Sequence, residues 1–291
     1  MKFAQIYSRL MATPWFVNEP TLHGIARLLE SRINSPGPHS ARRAKPSADC
    51  EEDPAADPIQ PPRTPVLAES PSAIALIPVF GVLGKHLSDM ETMCGGCDMD
   101  AIREQFDEAM ADPAVQSVVL FFDSPGGMAI GCHELFTHMF ETKSKPLYAY
   151  ADVLCGSAAY YLACAADAIF AAPTARVGSI GSMLILCDQS AKNEMEGVKF
   201  TILKSGEFKG LGDPSQPLSP AGEKALQAMV DQLGGRFRAD VSRARPSIAK
   251  ETMQGLAYLG EEAATLGLVD EVVLDLPALY SRLVAPAPPA A

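Results

Sequence analysis

Between Ala73 and Leu276 short, almost unbroken apolar runs alternate with segments of helical period, and this alternation narrows the choice of fold more than any other feature. The runs are AIALIPVFGVLG (Ala73 to Gly84), Ser117 to Phe122, Leu147 to Tyr150, Ala168 to Ala171, Met183 to Leu186 and Phe200 to Leu203. A run that is apolar at nearly every position suits a strand covered on both faces, and such strands joined by helices are parallel βαβ units. Helices are predicted over Met99 to Ala111, with Ile102, Phe106 and Met110 on one face, over about 129–141, from near Ser157, and from Ser219. Ser219 is a good N-cap and Pro220 suits the first helical position. Leu226, Met229, Val230, Leu233, Phe237 and Val241 then form an apolar stripe for a core or a sister subunit. The fold class is α/β.

Outside this region the character changes. Residues 1–33 carry scattered apolar positions that read as a short helical appendage, and 34–71, rich in Pro, Ser and charge, read as a flexible linker. The main domain is expected over 72–276 and a frayed tail over 277–291. Polar residues interrupt MKFAQIYSRLMATPWFV before it reaches signal-peptide or membrane-span length, so no membrane partner is expected. A net charge of −11, with no basic stripe, argues against nucleic acid. Seven cysteines, several in apolar stretches, point to a reducing, cytoplasmic compartment. Cys94 and Cys97 in CGGC lack a second CxxC to complete a zinc site and read as incidental thiols on a turn.

Three segments could carry chemistry. FFDSPGGMAIG places two glycines between a strand and a helix, where backbone N–H groups can face a phosphate or an acyl oxyanion, or simply turn the chain. LCGSAAYYLACAADAIF sets Ser157 at the start of an Ala-rich helix, as a nucleophile with the Ala158 N–H beside it or merely as an N-cap. KSGEFKGLGDPSQPLS puts Lys209 in a loop dense with Gly and Pro, where a lysine is ordinarily a surface charge. The histidines belong to no recognisable Ser/His/Asp motif, and His133 and His138, five apart, suit neither a metal pair nor a shared helix face; surface positions are expected for them.

Taken in order, IALIPVFGVL, DSPGG, GSAAYYLACAADAIFAAPTARVGSIG, KSGEFKGLGDPSQPLS and LGEEAATLGLVDEVV resemble the signal-peptide-peptidase-A family of serine peptidases, in particular its bacteriophage capsid-processing branch. The resemblance implies a Clp-protease/crotonase-like spiral of ββα units. It also implies Ser157 as nucleophile, Lys209 as general base, Ser179 as the residue orienting that lysine, and Gly127 with Ala158 as oxyanion donors. A lysine with a pKa of about 10.4 is protonated at pH 7, so this scheme requires Lys209 to be desolvated, with Glu207 and Asp213 turned away.

By the same resemblance no metal or organic cofactor is needed, and the chain forms a homo-oligomer acting on polypeptides. Capsid, scaffold or portal proteins in a bacterial host cell or phage procapsid are the implied substrates. Some phage members continue into a scaffolding domain; this sequence ends soon after the last motif, which would call for a separate scaffold protein. The competing readings are a signal-peptide or general degradative peptidase, a crotonase-like acyl-thioester enzyme, and a catalytically idle assembly component.

Overall fold

The computed structural model describes residues 73–284, together with two short outlying strands, Trp15–Val17 (β1) and Val66–Leu67 (β2). From residue 73 the chain winds through repeated strand, strand, helix units. The first unit is β3 (Ala73–Phe80), β4 (Val82–Gly84) and α1 (Asp89–Met93), followed by β5 (Gly96–Asp98) and α2 (Met99–Ala111). The second is β6 (Val115–Ser124), β7 (Gly126–Met128) and α3 (Cys132–Thr142). In the third, β8 (Leu147–Gly156) runs directly into α4 (Ala158–Ala163) without an intervening strand. There follow β9 (Ala168–Ala171), β10 (Arg176–Gly178), α5 (Ser190–Met195), the long α6 (Pro220–Ala244), β11 (Ala257–Leu259), α7 (Gly260–Thr265), β12 (Glu271–Val272) and α8 (Leu276–Val284). This is the spiral of ββα units that the resemblance implies.

The long strands build one sheet in the order β11-β10-β8-β6-β3-β2, and β1-β7-β4-β5 form a smaller one. Pairing of β3, β6, β8 and β10 is parallel, and the strand β8 is shared along its length. Its first half pairs with β9 and its last residues with β10. Being central, β6 and β8 are buried on both faces, which is why they read as continuous apolar runs.

Helix ends follow their sequence signals. The Asp98 carboxylate accepts from the Asp100 N–H at the start of α2, and the Ser219 hydroxyl accepts from the Gly222 N–H at the start of α6. The apolar stripe of α6 divides: Phe237 and Val241 are fully buried, whereas Leu226, Met229 and Val230 remain partly open.

Three expectations are corrected. Residues 183–186 and 200–203 form no strand: apart from a single bridge at Met183 they run irregularly, because an apolar run becomes a strand only where an edge is available to pair with it. The tail expected from 277 is helical as far as Val284, with Leu279 fully buried. Trp15–Val17 is strand where a helix was expected. The rest of 1–33, the linker 34–71 apart from Val66–Leu67, and 285–291 lie outside the described residues. Among the described residues no helix is long and apolar enough to cross a membrane.

Phe237 fastens α6 to the core by stacking on Tyr161 of α4, ring centroids 4.4 Å apart at 8°. Phe237→Ala is expected to lower stability by about 3–5 kcal/mol, read as a fall in the urea unfolding midpoint.

Candidate active site

Three neighbouring parallel strands, β10, β8 and β6, end together. Gly178 is in register with Gly156, and Ser124 with Cys155. The motifs VGS, GSA and DSPGG therefore meet at one edge of the sheet, on strands about 4.8 Å apart. The carboxyl end of a parallel sheet is the usual place for a ligand in an open α/β fold.

Ser157 occupies the corner between β8 and α4. Its backbone lies at φ +54°, ψ −114°, in a region that side chains other than glycine rarely enter and that costs about 1–3 kcal/mol. The flanking structure holds it there: the Ser157 N–H donates to the Gly178 carbonyl at 2.7 Å, and its carbonyl accepts from the Tyr161 N–H at 2.9 Å. Despite standing at the N-cap position its side chain makes no capping bond. The hydroxyl instead points toward the Gly181 carbonyl, 3.5 Å away, and the residue is only 1% exposed. The N-cap reading of Ser157 therefore does not describe what this side chain does.

The wall beside it is also strained. Ser179 has φ +56° and donates its N–H to the Leu256 carbonyl at 2.7 Å. Ser157, Ser179 and Gly181 line a cavity of about 510 Å³ together with Asp231 and Arg238 of α6. Sequence reasoning missed these two charged residues, because it treated α6 only by its apolar stripe. Their spacing of seven, two helical turns, was the available signal for a shared face. Ser182 ties the walls together through its hydroxyl to the Val230 carbonyl at 2.7 Å, and Gly234 permits the approach, since a Cβ there would lie 2.8 Å from that hydroxyl.

In DSPGG the two glycines have different tasks. Gly126 supplies φ +101° for the corner, and Gly127 lets β4 pass: a Cβ at Gly127 would stand 2.0 Å from the Leu83 carbonyl oxygen. The Ser124 hydroxyl fixes the corner, donating to the Gly81 carbonyl at 2.6 Å while accepting from the Gly126 N–H at 3.2 Å. An added Cβ at Gly156 would lie 3.3 Å from the Pro125 carbonyl oxygen, so this loop borders the serine corner. Ala158, fully buried, opens α4, and its N–H has no acceptor within the helix.

Lys209 is not brought to this cluster. It is exposed, in a turn where its own N–H bonds to the Gly206 carbonyl at 3.1 Å, and it does not line the cavity beside Ser157. The desolvation required of a neutral lysine is therefore absent in the single chain. Of its flanking carboxylates, Asp213 is engaged by the hydroxyl and N–H of Ser215, which hold its carboxyl below the usual range.

The histidines also differ from expectation. His133 bonds to Asp240 at 2.7 Å and His138 to Asp107 at 2.6 Å, so each is tied to a carboxylate. Asp240 also accepts a short hydrogen bond from Tyr161, whose hydroxyl burial and Asp240 keep protonated well above the ordinary range. This His–Asp pair leads to a tyrosine on the serine helix and not to Ser157. Among the described residues no cluster could hold a metal ion. CGGC is a turn entering β5, and burial pushes the Cys97 thiol up to about 11, away from the reactive thiolate form.

The fold and site thus define an α/β protein of ββα units with a strained, buried serine at a strand-to-helix corner and a glycine-rich strand beside it. Residues 139–280 match the profile of Peptidase family S49. It is 31% identical over 208 residues to the capsid assembly protease C of Escherichia phage lambda, covering 69% of this chain and 47% of that protein. It is 29% identical to the head-tail preconnector protein GP5 of Enterobacteria phage P21 over 69% of this chain and 41% of that protein. To the chloroplastic serine protease SPPA of Arabidopsis thaliana it is 25% identical over 68% and 30%. The chain spans less than half the length of these relatives. Among solved structures it is similar to the 1510-N membrane-bound stomatin-specific protease, at 14% identity and a TM-score of 0.42 over 73% of this chain and 85% of that one. An enoyl-CoA hydratase/isomerase family protein from Silicibacter pomeroyi gives 15% identity and a TM-score of 0.41 over 75% and 78%.

Gly127→Ala must displace the β4 backbone and is expected to cost about 1–3 kcal/mol in chemical unfolding. Gly235→Ala, in the interior of α6 with nothing within 4 Å of the added Cβ, is the control and should stabilise by up to about 1 kcal/mol.

Proposed function

We propose that the chain is a serine endopeptidase in which Ser157 attacks the scissile carbonyl and Lys209 is the general base. The observation that carries this reading is the backbone of Ser157, held at φ +54° with a hydroxyl that caps nothing and faces a cavity. Strain of this kind persists where function needs a side chain aimed against its local preference, and the strand-to-helix elbow of other serine hydrolases aims a nucleophile in the same way.

In the proposed reaction Lys209 takes the Ser157 proton as Oγ bonds to the carbonyl carbon, and the N–H groups of Gly127 and Ala158 hold the oxyanion. Lys209 then passes the proton to the leaving amine, and water, deprotonated by the same lysine, releases the acyl group. Ser179 orients the lysine. Because Lys209 is exposed in the single chain, the dyad is completed in a homo-oligomer. The segment around Lys209 carries Phe200, Leu203 and Phe208 exposed, apolar surface that packing against a second copy would cover, desolvating the lysine. Phage capsid, scaffold or portal proteins are the proposed substrates, on the strength of the similarity to the lambda and P21 proteins. A crotonase-like thioester enzyme would have no use for a strained serine at this corner, and an idle assembly component would have no reason to retain one.

Ser157→Ala and Lys209→Ala, each folded and assembled like wild type, are expected to lower hydrolysis of an unstructured polypeptide by about four orders of magnitude, and Ser179→Ala by less. Mass spectrometry of the fragments is the readout; variants that cleave as wild type does would overturn the mechanism.

A further inference from the structure

The strand β7, which carries Gly127, pairs on one edge with β4 at Leu83. Its other edge is taken by β1: Trp15 faces Met128, Phe16 faces Gly127 and Val17 faces Gly126, in antiparallel register. Without β1 this three-residue strand would end the small sheet with unpaired N–H and C=O groups, the kind of edge to which an extended polypeptide adds by main-chain hydrogen bonds. The edge belongs to the strand that the proposed peptidase uses to hold the oxyanion. A second extended chain cannot bond to it while β1 is in place, since both would need the same backbone groups.

We propose that Trp15–Val17 is an intramolecular occupant of a strand-addition site for polypeptide on β7, and that a substrate strand must displace it. The inference rests on the peptidase reading and adds to it where the substrate backbone docks and what holds that place in the resting chain. Main-chain pairing needs no particular side chains, so a segment of this chain and a foreign polypeptide can compete for one edge. Tethering makes pairing of the internal segment an intramolecular event, an advantage that a foreign polypeptide must overcome by its own concentration or affinity. The stretch 18–65, before β2 at Val66–Leu67, leaves chain enough for the segment to come off the edge without unpairing the main sheet.

The test uses the full chain and a Phe16→Pro/Val17→Pro double variant. Alternate N–H groups along a strand face the same neighbour, so one of the two prolines removes a donor from the ladder whichever way the pairing runs. Amide hydrogen exchange should quicken by about tenfold or more at Gly126–Met128 in the variant, while the pairing of β4 with β5 stays protected. Hydrolysis of an unstructured polypeptide should rise several-fold, and a synthetic peptide of residues 11–21 should reverse both effects. Unchanged exchange, or hydrolysis that stays level or falls, overturns the inference while leaving the peptidase reading intact, because Ser157→Ala still abolishes the cleavage observed. Absence of Ser157-dependent cleavage in both proteins overturns the peptidase reading and this inference together.

Discussion

The left-handed corner at Ser157 is the constraint on which the rest of the structure turns. Successive units of the spiral change direction at Gly81, at Gly126 and at Ser157, all with positive φ. At the first two, glycine meets the requirement without steric cost. At the third a residue with a Cβ takes the same kind of backbone, and the parallel ladder on one side and the first turn of α4 on the other keep it there. A hydroxyl that would otherwise cap the helix is left facing the cavity.

This arrangement needs an anchored α4, because a helix of six residues has little stability of its own. Every one of its residues is buried, and α6 supplies the outer support. Phe237 stacks on Tyr161, while Asp240 accepts from both Tyr161 and His133 and so joins α3, α4 and α6. The same helix then lends Asp231 and Arg238 to the cavity wall. One element both secures the serine corner and closes the space in front of it.

Lys209, the proposed general base, stands exposed and away from the cavity at Ser157 in the single chain. The segment from 197 to 210 is exposed throughout, with aromatic and aliphatic side chains left in water. A basic residue there can act as a proton acceptor only if something removes it from solvent, and the apolar neighbours on its own loop are suited to be covered.

The sequence by itself determined the α/β class, the helix at Met99–Ala111, the start of the long helix at Pro220 with its Ser219 cap, and the serine corner as a place of interest. These rest on apolar period, capping residues and glycine positions, which act over a few neighbouring residues. Only the tertiary structure decided which apolar runs found an edge to pair with: Ala168–Ala171 did, beside β8, whereas 183–186 and 200–203 did not. It alone placed Ser124, Ser157 and Ser179 at or just past the ends of adjoining strands, brought Asp231 and Arg238 to the cavity that Ser157 and Ser179 line, and laid Trp15–Val17 along β7. The reason is physical: strand pairing and cavity walls join residues tens to more than a hundred positions apart, and no local pattern encodes which distant partner wins.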